Sequence, residues 1–125
     1  MVVRNELSDE QIDRVFQALA ASTRRDILRR TIAEEQSVSE LARDYDMSFA
    51  AVQKHVAVLE AAELIVKRAE GRERLVRANP EMIARARALL SRYEDLWRHR
   101  IARLDDLLAE DDPDARPAPR GSTIP

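Results

Sequence analysis

Covalent and metal chemistry have few residues to work with in this chain. It holds no cysteine and two histidines, His55 and His99, which removes thiol nucleophiles, disulfides and thiolate metal sites. Gly71 and Gly121 stand far apart, so no glycine-rich loop cradles a phosphate. Asp95 and His99, spaced i and i+4, would share a helix face, but a metal site needs at least three ligands and a supporting shell. No nucleophile–base pair stands out. The expectation is a protein without catalytic residues, metal or cofactor.

Non-covalent chemistry is better supplied. Gln53 and Lys54 sit among small residues and carry groups that bond base edges, Gln to adenine and Lys to guanine. Lys67, Arg68, Arg72, Arg74 and Arg77 give residues 64–78 a net charge of +3, while residues 105–114 sum to −6. The whole chain is close to balance, with 21 basic and 23 acidic side chains. Screening confines each field to about 10 Å, so the local excess decides what each region attracts.

The elements that must position these groups follow from capping chemistry and periodicity. The length of 125 residues suits one domain. The chain has neither a long apolar run nor a signal-like start, so we expect a cytoplasmic protein with no membrane contact. Ser8 and Gln11 form a capping box, with Leu7 and Ile12 placed as a hydrophobic staple. Ile12, Val15, Phe16 and Leu19 then make one buried stripe of a helix over about 9–20. Ser22 would cap a second helix with Ile27, Leu28 and Ile32 on one face. Ser37 with Glu40 opens a third, short helix running through Leu41, Ala42 and Tyr45. Ser48 caps a fourth over about 49–62, with Val52, Val56 and Leu59 inward and Phe49, Ala50, Gln53, Lys54 and Ala57 outward. Two short helices joined at Asp46-Met47 have the form of a helix-turn-helix.

Beyond them, Leu64 to Val66 and Leu75-Val76 flank Glu70-Gly71-Arg72, the pattern of a protruding hairpin. Asn79-Pro80 begins a last helix reaching about Glu110, with Asn79 as its cap. Its stripe of Ile83, Ala86, Leu90, Tyr93, Trp97, Ile101, Leu104 and Leu108 is a near-heptad seam too long for a small domain to cover. A second copy of the chain is the expected cover. The fold class is therefore mainly α with a small β-hairpin, a winged helix-turn-helix with a long C-terminal dimerisation helix. Residues 1–110 would form the DNA-binding and dimerisation domain, and 111–125 a disordered acidic, proline-rich tail.

The wording of these segments goes further. The run Leu19 to Leu28 (LAASTRRDIL) resembles the start of ArsR-type repressors. Ser37 to Ala42 (SVSELA) is similar to that family's third helix, and Met47 to Glu60 (MSFAAVQKHVAVLE) to its recognition helix. Gly71-Arg72 falls at its wing turn. The resemblance covers about residues 10–108 and implies a homodimeric repressor on a palindromic operator in double-stranded DNA. Where metal-sensing members carry a Cys-x-Cys-like motif, this chain has Val38 to Glu40, and the long Trp-containing last helix resembles a metal-free branch. The inducing signal does not carry over, so an unidentified small-molecule effector is left open. Glu63 stands where the family often has glycine, so the helix end there either bears a left-handed strain or takes another form.

On this reading the DNA-binding residues are Thr23, Arg24, Ser48, Phe49, Ala50, Gln53, Lys54, His55, Arg68, Arg72 and Arg74. The dimer interface is Phe16, Leu90, Tyr93, Trp97, Ile101, Leu104 and Leu108. Each has a plainer counterpart. Gln53 and Lys54 could line a solvated face, and Phe49 could pack on its turn rather than touch a thymine methyl. His55 is read as a packing or phosphate-contact residue rather than a ligand. Thr23, Arg24 and Arg25 either meet phosphate at a helix start or pair with Glu or Asp within the chain. Arg72 and Arg74 either meet the DNA backbone or pair with Glu70 and Glu73. Tyr93 and Trp97 pack in the seam or line an apolar pocket. The competing function is a winged-helix module whose partner is a protein.

Overall fold

The computed structural model describes residues 6–111. The tail expected from 111 onward lies outside the described residues except for Asp111, which closes the last helix. Contacts divide the chain into two compact units, residues 1–89 and 90–125.

In the first unit, α1 (Asp9–Leu19) starts at the Ser8–Gln11 box, whose two hydrogen bonds measure 2.8 and 3.2 Å. Its buried line runs through Val15 and Ala18, with Leu19 packed partly against the core. Phe16, expected in that stripe, is 46% exposed. The helix α2 (Ser22–Ala33) takes Ala21, not Ser22, as its N-cap, and no side chain caps it. The corner is held instead by arginines reaching back to α1. Ile27 and Thr31 are the buried residues of α2. The Thr31 hydroxyl lies 3.0 Å from both Ile27 O and Leu28 O, so it enters the core with its hydrogen bond made. Thr31 thus holds the inward position four after Ile27, and Ile32, one helical step of about 100° away, is turned out and 59% exposed. That corrects the expectation that Ile32 is buried.

A two-residue strand, β1 (Gln36–Ser37), follows and was not foreseen. Two residues are too few for an alternating pattern to register. Ser37 also caps α3 (Val38–Arg43), accepting from Glu40 N at 3.0 Å. The helix stops before Tyr45. Ser48 caps α4 (Phe49–Ala61), accepting from Ala51 N at 3.1 Å, and α4 buries Val52, Val56 and Leu59 as its spacing predicts. The strands β2 (Ile65–Glu70) and β3 (Glu73–Ala78) pair antiparallel, and β1 adds to the far side of β3 in the order β1-β3-β2. The expected hairpin is therefore two strands of a three-stranded sheet. Gly71 turns it with φ of 61°, a conformation free of Cβ clash only for glycine.

The core gathers Ile27, Leu41, Val52, Val56, Leu59, Leu64, Ile65 and Val76, each almost wholly buried. Burying such a side chain contributes about 1.5–3 kcal/mol. The last helix, α5 (Pro80–Asp111), begins at Pro80 and adds Met82 to this core. Its cap residue is used differently from expectation: Asn79 Nδ2 donates to Glu63 O at 2.9 Å. Leu64 and Asn79 are joined by a backbone bond of 2.8 Å. The strand β2 thus leaves α4 and β3 reaches α5 over the same short stretch.

The second unit is the continuation of α5 from residue 90. Its large apolar side chains among the described residues are exposed in the single chain: Leu90, Tyr93, Leu96, Trp97, Ile101, Leu104, Leu107 and Leu108.

Candidate nucleic-acid interface

The helix α4 is fixed at both ends before its outward face is considered. At its C-terminus Leu64 N bonds Leu59 O at 3.1 Å and Glu63 N bonds Glu60 O at 2.8 Å. These are the two bonds of a Schellman motif, with Leu59 and Leu64 as its buried apolar pair. Glu63 occupies the left-handed position with φ of 61°. Of the two expected outcomes for this residue, the helix keeps the glycine-type ending and bears the steric strain.

The turn before α4 is held by a polar cluster. Tyr45 donates its hydroxyl to Asp26, and Arg30 lies over the Tyr45 ring at 5.4 Å. Arg30 also reaches Asp44 and Gln36, each at 2.7 Å. These bonds tie the α3–α4 turn and β1 to α2. The Tyr45 hydrogen bond, with that of Arg29, holds the Asp26 carboxyl below its ordinary range. Burial, with the neighbouring Asp26, pushes the Tyr45 phenol up. No sequence signal pairs residues 19 apart across a loop, and these supporting residues were missed.

The outward face of α4 carries Phe49, Ala50, Gln53, Lys54 and Ala57, all exposed, beside the exposed cap Ser48. Gln53 and Lys54 have no side-chain partner among the described residues. Alanines on either side leave the helix backbone open to close approach. His55 is half-buried, and Arg24 Nη1 lies 3.2 Å from its Nδ1. A guanidinium only donates, so Nδ1 is the acceptor in this contact.

At the start of α2 the internal partners of the arginines are backbone carbonyls, not the Glu or Asp side chains expected. Arg24 donates to Ala18 O and Gln17 O, both at 2.9 Å, and Arg25 to Leu19 O at 2.7 Å. These carbonyls belong to the last turn of α1, where helical partners run out, although Gln17 O also accepts from Ala20 N at 3.2 Å. The two arginines pin α2 to α1, and Arg24 ties that corner to α4 through His55. Thr23 is half-buried at the second position of α2.

On the wing the basic residues separate into two kinds. Arg68 makes a bidentate pair with Glu35, at 3.1 and 2.7 Å, and lies 3.5 Å from Glu70. The Arg68 hydrogen bond holds the Glu35 carboxyl below its ordinary range. Lys67 pairs with Glu60 of α4 at 3.2 Å. The Lys67 pair ties β2 to α4, and the Arg68 pair ties β2 to the segment between α2 and β1. Arg72 and Arg74 are exposed at the tip and form no ion pair among the described residues, with Glu70 or Glu73 or otherwise. Arg68, expected beside them as a DNA contact, is engaged by Glu35, with its side chain still 53% exposed.

The helix-turn-helix domain family matches residues 19–68, which span α2 through most of β2. A crystal structure of the ArsR family transcriptional regulator RHA00566 is 34% identical and covers 74% of this chain and 96% of its own, with a TM-score of 0.69. The chain belongs to the ArsR family of transcriptional regulators. The HTH-type transcriptional regulator Rv2034 of Mycobacterium tuberculosis is 41% identical over 81 residues, covering 65% of this chain and 76% of the relative. The homodimeric winged helix-turn-helix DNA-binding domain Mb0332 of Mycobacterium bovis is similar at 28% identity, covering 76% of this chain and 91% of its own, with a TM-score of 0.57. As an ArsR-family member the chain is a DNA-binding transcriptional regulator of winged helix-turn-helix fold, and α4 is the second helix of that helix-turn-helix. No helix among the described residues is long and apolar enough to cross a membrane. Asp95 and His99 remain a pair, since no three ligating side chains gather among the described residues.

Proposed function

We propose that this ArsR-family chain is a cytoplasmic, homodimeric repressor that lays α4 in the major groove of a palindromic operator. Gln53 and Lys54 read base edges, and Arg72 and Arg74 hold the adjacent backbone. The observation that carries the reading is the contrast among polar side chains. Those that brace the fold are paired, whereas Gln53, Lys54, Arg72 and Arg74 are exposed and have no partner among the described residues. Groups left available in this way can exchange water for DNA without breaking a fold contact. The homodimeric state of the M. bovis domain supports a two-fold arrangement. Two recognition helices would then enter successive major grooves about 34 Å apart. Occupying a promoter over that length blocks it, and no catalytic step is required.

Selection of bound fragments from random DNA, followed by footprinting, tests this. An imperfect palindrome should emerge, and Gln53→Ala should weaken its binding by about 1–3 kcal/mol while relaxing preference at one or two base pairs. Unchanged preference would remove Gln53 from the readout. Failure to bind any DNA would favour the protein-partner reading instead.

A further inference from the structure

A cleft of about 740 Å³ lies in the first unit, on the side formed by the end of α2, the base of β3 and the first turns of α5. Its apolar lining includes Ile32 and Ile83, with Ala84 beside them. Ile32 explains little of the fold: it is 59% exposed, on a helix whose inward positions are taken by Ile27 and Thr31. Four charged side chains, Glu34, Glu35, Arg77 and Arg87, also line the cleft. Glu35 is already engaged bidentately by Arg68. The charges left for a ligand are the two guanidiniums against Glu34 alone, an excess of positive charge beside an apolar floor.

We propose that this cleft is an effector site for a small amphipathic carboxylate, its hydrocarbon part on Ile32 and Ile83 and its carboxylate on Arg77 and Arg87. The volume lies within the ordinary range for small-molecule sites, and a mainly apolar lining with a few placed polar groups is their usual make-up. Guanidinium is the side chain best matched to a carboxylate. Occupancy reaches the wing by a short route. Arg77 belongs to β3, the central strand of the sheet, and lines the cleft together with Glu35, the partner of Arg68 on β2. A carboxylate that engages Arg77 therefore sits against the strand that leads to Arg74 and beside the pair that holds β2. The consequence for DNA rests on the function proposed above; the binding itself does not.

Calorimetry of the full chain with decanoate below its micelle concentration, and with decanol as the uncharged probe, tests the site. Decanoate should bind about tenfold more tightly than decanol, and Arg87→Gln should remove about that factor, as expected for a hydrogen bond to a charged group. Ile32→Asp places a like charge on the exposed floor without disturbing the core, and should abolish decanoate binding. Decanoate binding that survives Ile32→Asp, or is no tighter than that of decanol, would overturn the proposal and assign the heat to the apolar face of α5. Absence of any decanoate binding would overturn it as well. In a parallel gel shift, decanoate should alter DNA affinity in the parent and not in Ile32→Asp. An unaltered affinity with saturated calorimetric binding would refute the coupling to the wing. If no DNA binds under any condition, the functional reading fails while the calorimetric result still decides the site.

Discussion

Single residues in this chain separate according to whether they already have a partner. Glu63 shows the cost of an exception, since a left-handed residue with a Cβ is strained by roughly 1–2 kcal/mol. Glycine relieves that strain but adds unfolded-state entropy worth about 0.5–1 kcal/mol. Glu63→Gly should therefore stabilise the fold by a net ~0.5–1 kcal/mol, whereas Glu63→Ala, which keeps the Cβ, should not. Denaturation midpoints at one protomer concentration measure both, and a destabilised glycine variant would show that the left-handed strain is not the governing effect. Asp26 offers a second test through pH. Its carboxyl is held below the ordinary range, first by Tyr45 and then by Arg29. Its contribution is full above the unfolded value of about 3.9 and is lost as pH falls through the lower folded value. The stability gap between the parent and Asp26→Asn should be widest near neutrality and close below about pH 4. A gap independent of pH would mean that ionisation of Asp26 does not matter.

At the scale of elements, the wing is a scaffold with a charged end. Arg68 and Lys67 are spent on Glu35 and Glu60, while the two arginines of the tip stand free among the described residues. Each phosphate contact contributes about 0.9 to the slope of log affinity against log salt. The Arg72→Ala/Arg74→Ala pair should flatten that slope by about 2 and weaken operator and random DNA alike. Arg68→Ala should change the slope less and act through the position of β2. A double variant with the parent slope would place the tip away from the DNA. Sequence reasoning could group all five basic residues of 64–78 but could not divide them, because Glu35 lies 33 positions from Arg68.

For the whole molecule the question is what covers the second unit. Successive residues turn by about 100°, so Leu90, Tyr93, Trp97, Ile101, Leu104 and Leu108 fall within an arc of roughly 80°. Leu96 and Leu107, absent from the expected seam, widen it to about 140°. That exceeds a two-helix seam, so each α5 should meet more than the α5 of a second copy. Phe16, turned out from α1, is a candidate contributor. Trp97 is 60% exposed in the single chain. If it is buried in a dimer, Trp97→Ala should cost about 2 kcal/mol or more, raising the dimer dissociation constant roughly thirtyfold. Sedimentation across a concentration series measures this. A parent chain that stays monomeric at high micromolar concentration would rule out the dimer.

Local chemistry determined the order of the helices and the hairpin in advance. The Ser8–Gln11 box, the Ser48 cap and the Val52–Val56–Leu59 spacing act within one or two turns, so they are written in adjacent residues. The outward positions of Gln53 and Lys54 follow from the same periodicity. Tertiary structure alone decided the rest. Pairing β1 with β3 depends on chain closure across residues 36–76, and no local pattern of two residues announces it. The burial of Thr31 over Ile32 depends on what faces α2, not on hydropathy. Arg24 and Arg25 look like phosphate ligands in sequence because they open a helix. In the fold they reach the carbonyls of Gln17, Ala18 and Leu19 in the last turn of α1. A side chain's type limits the bonds it can make, and the fold decides which of them remain to be made with something else.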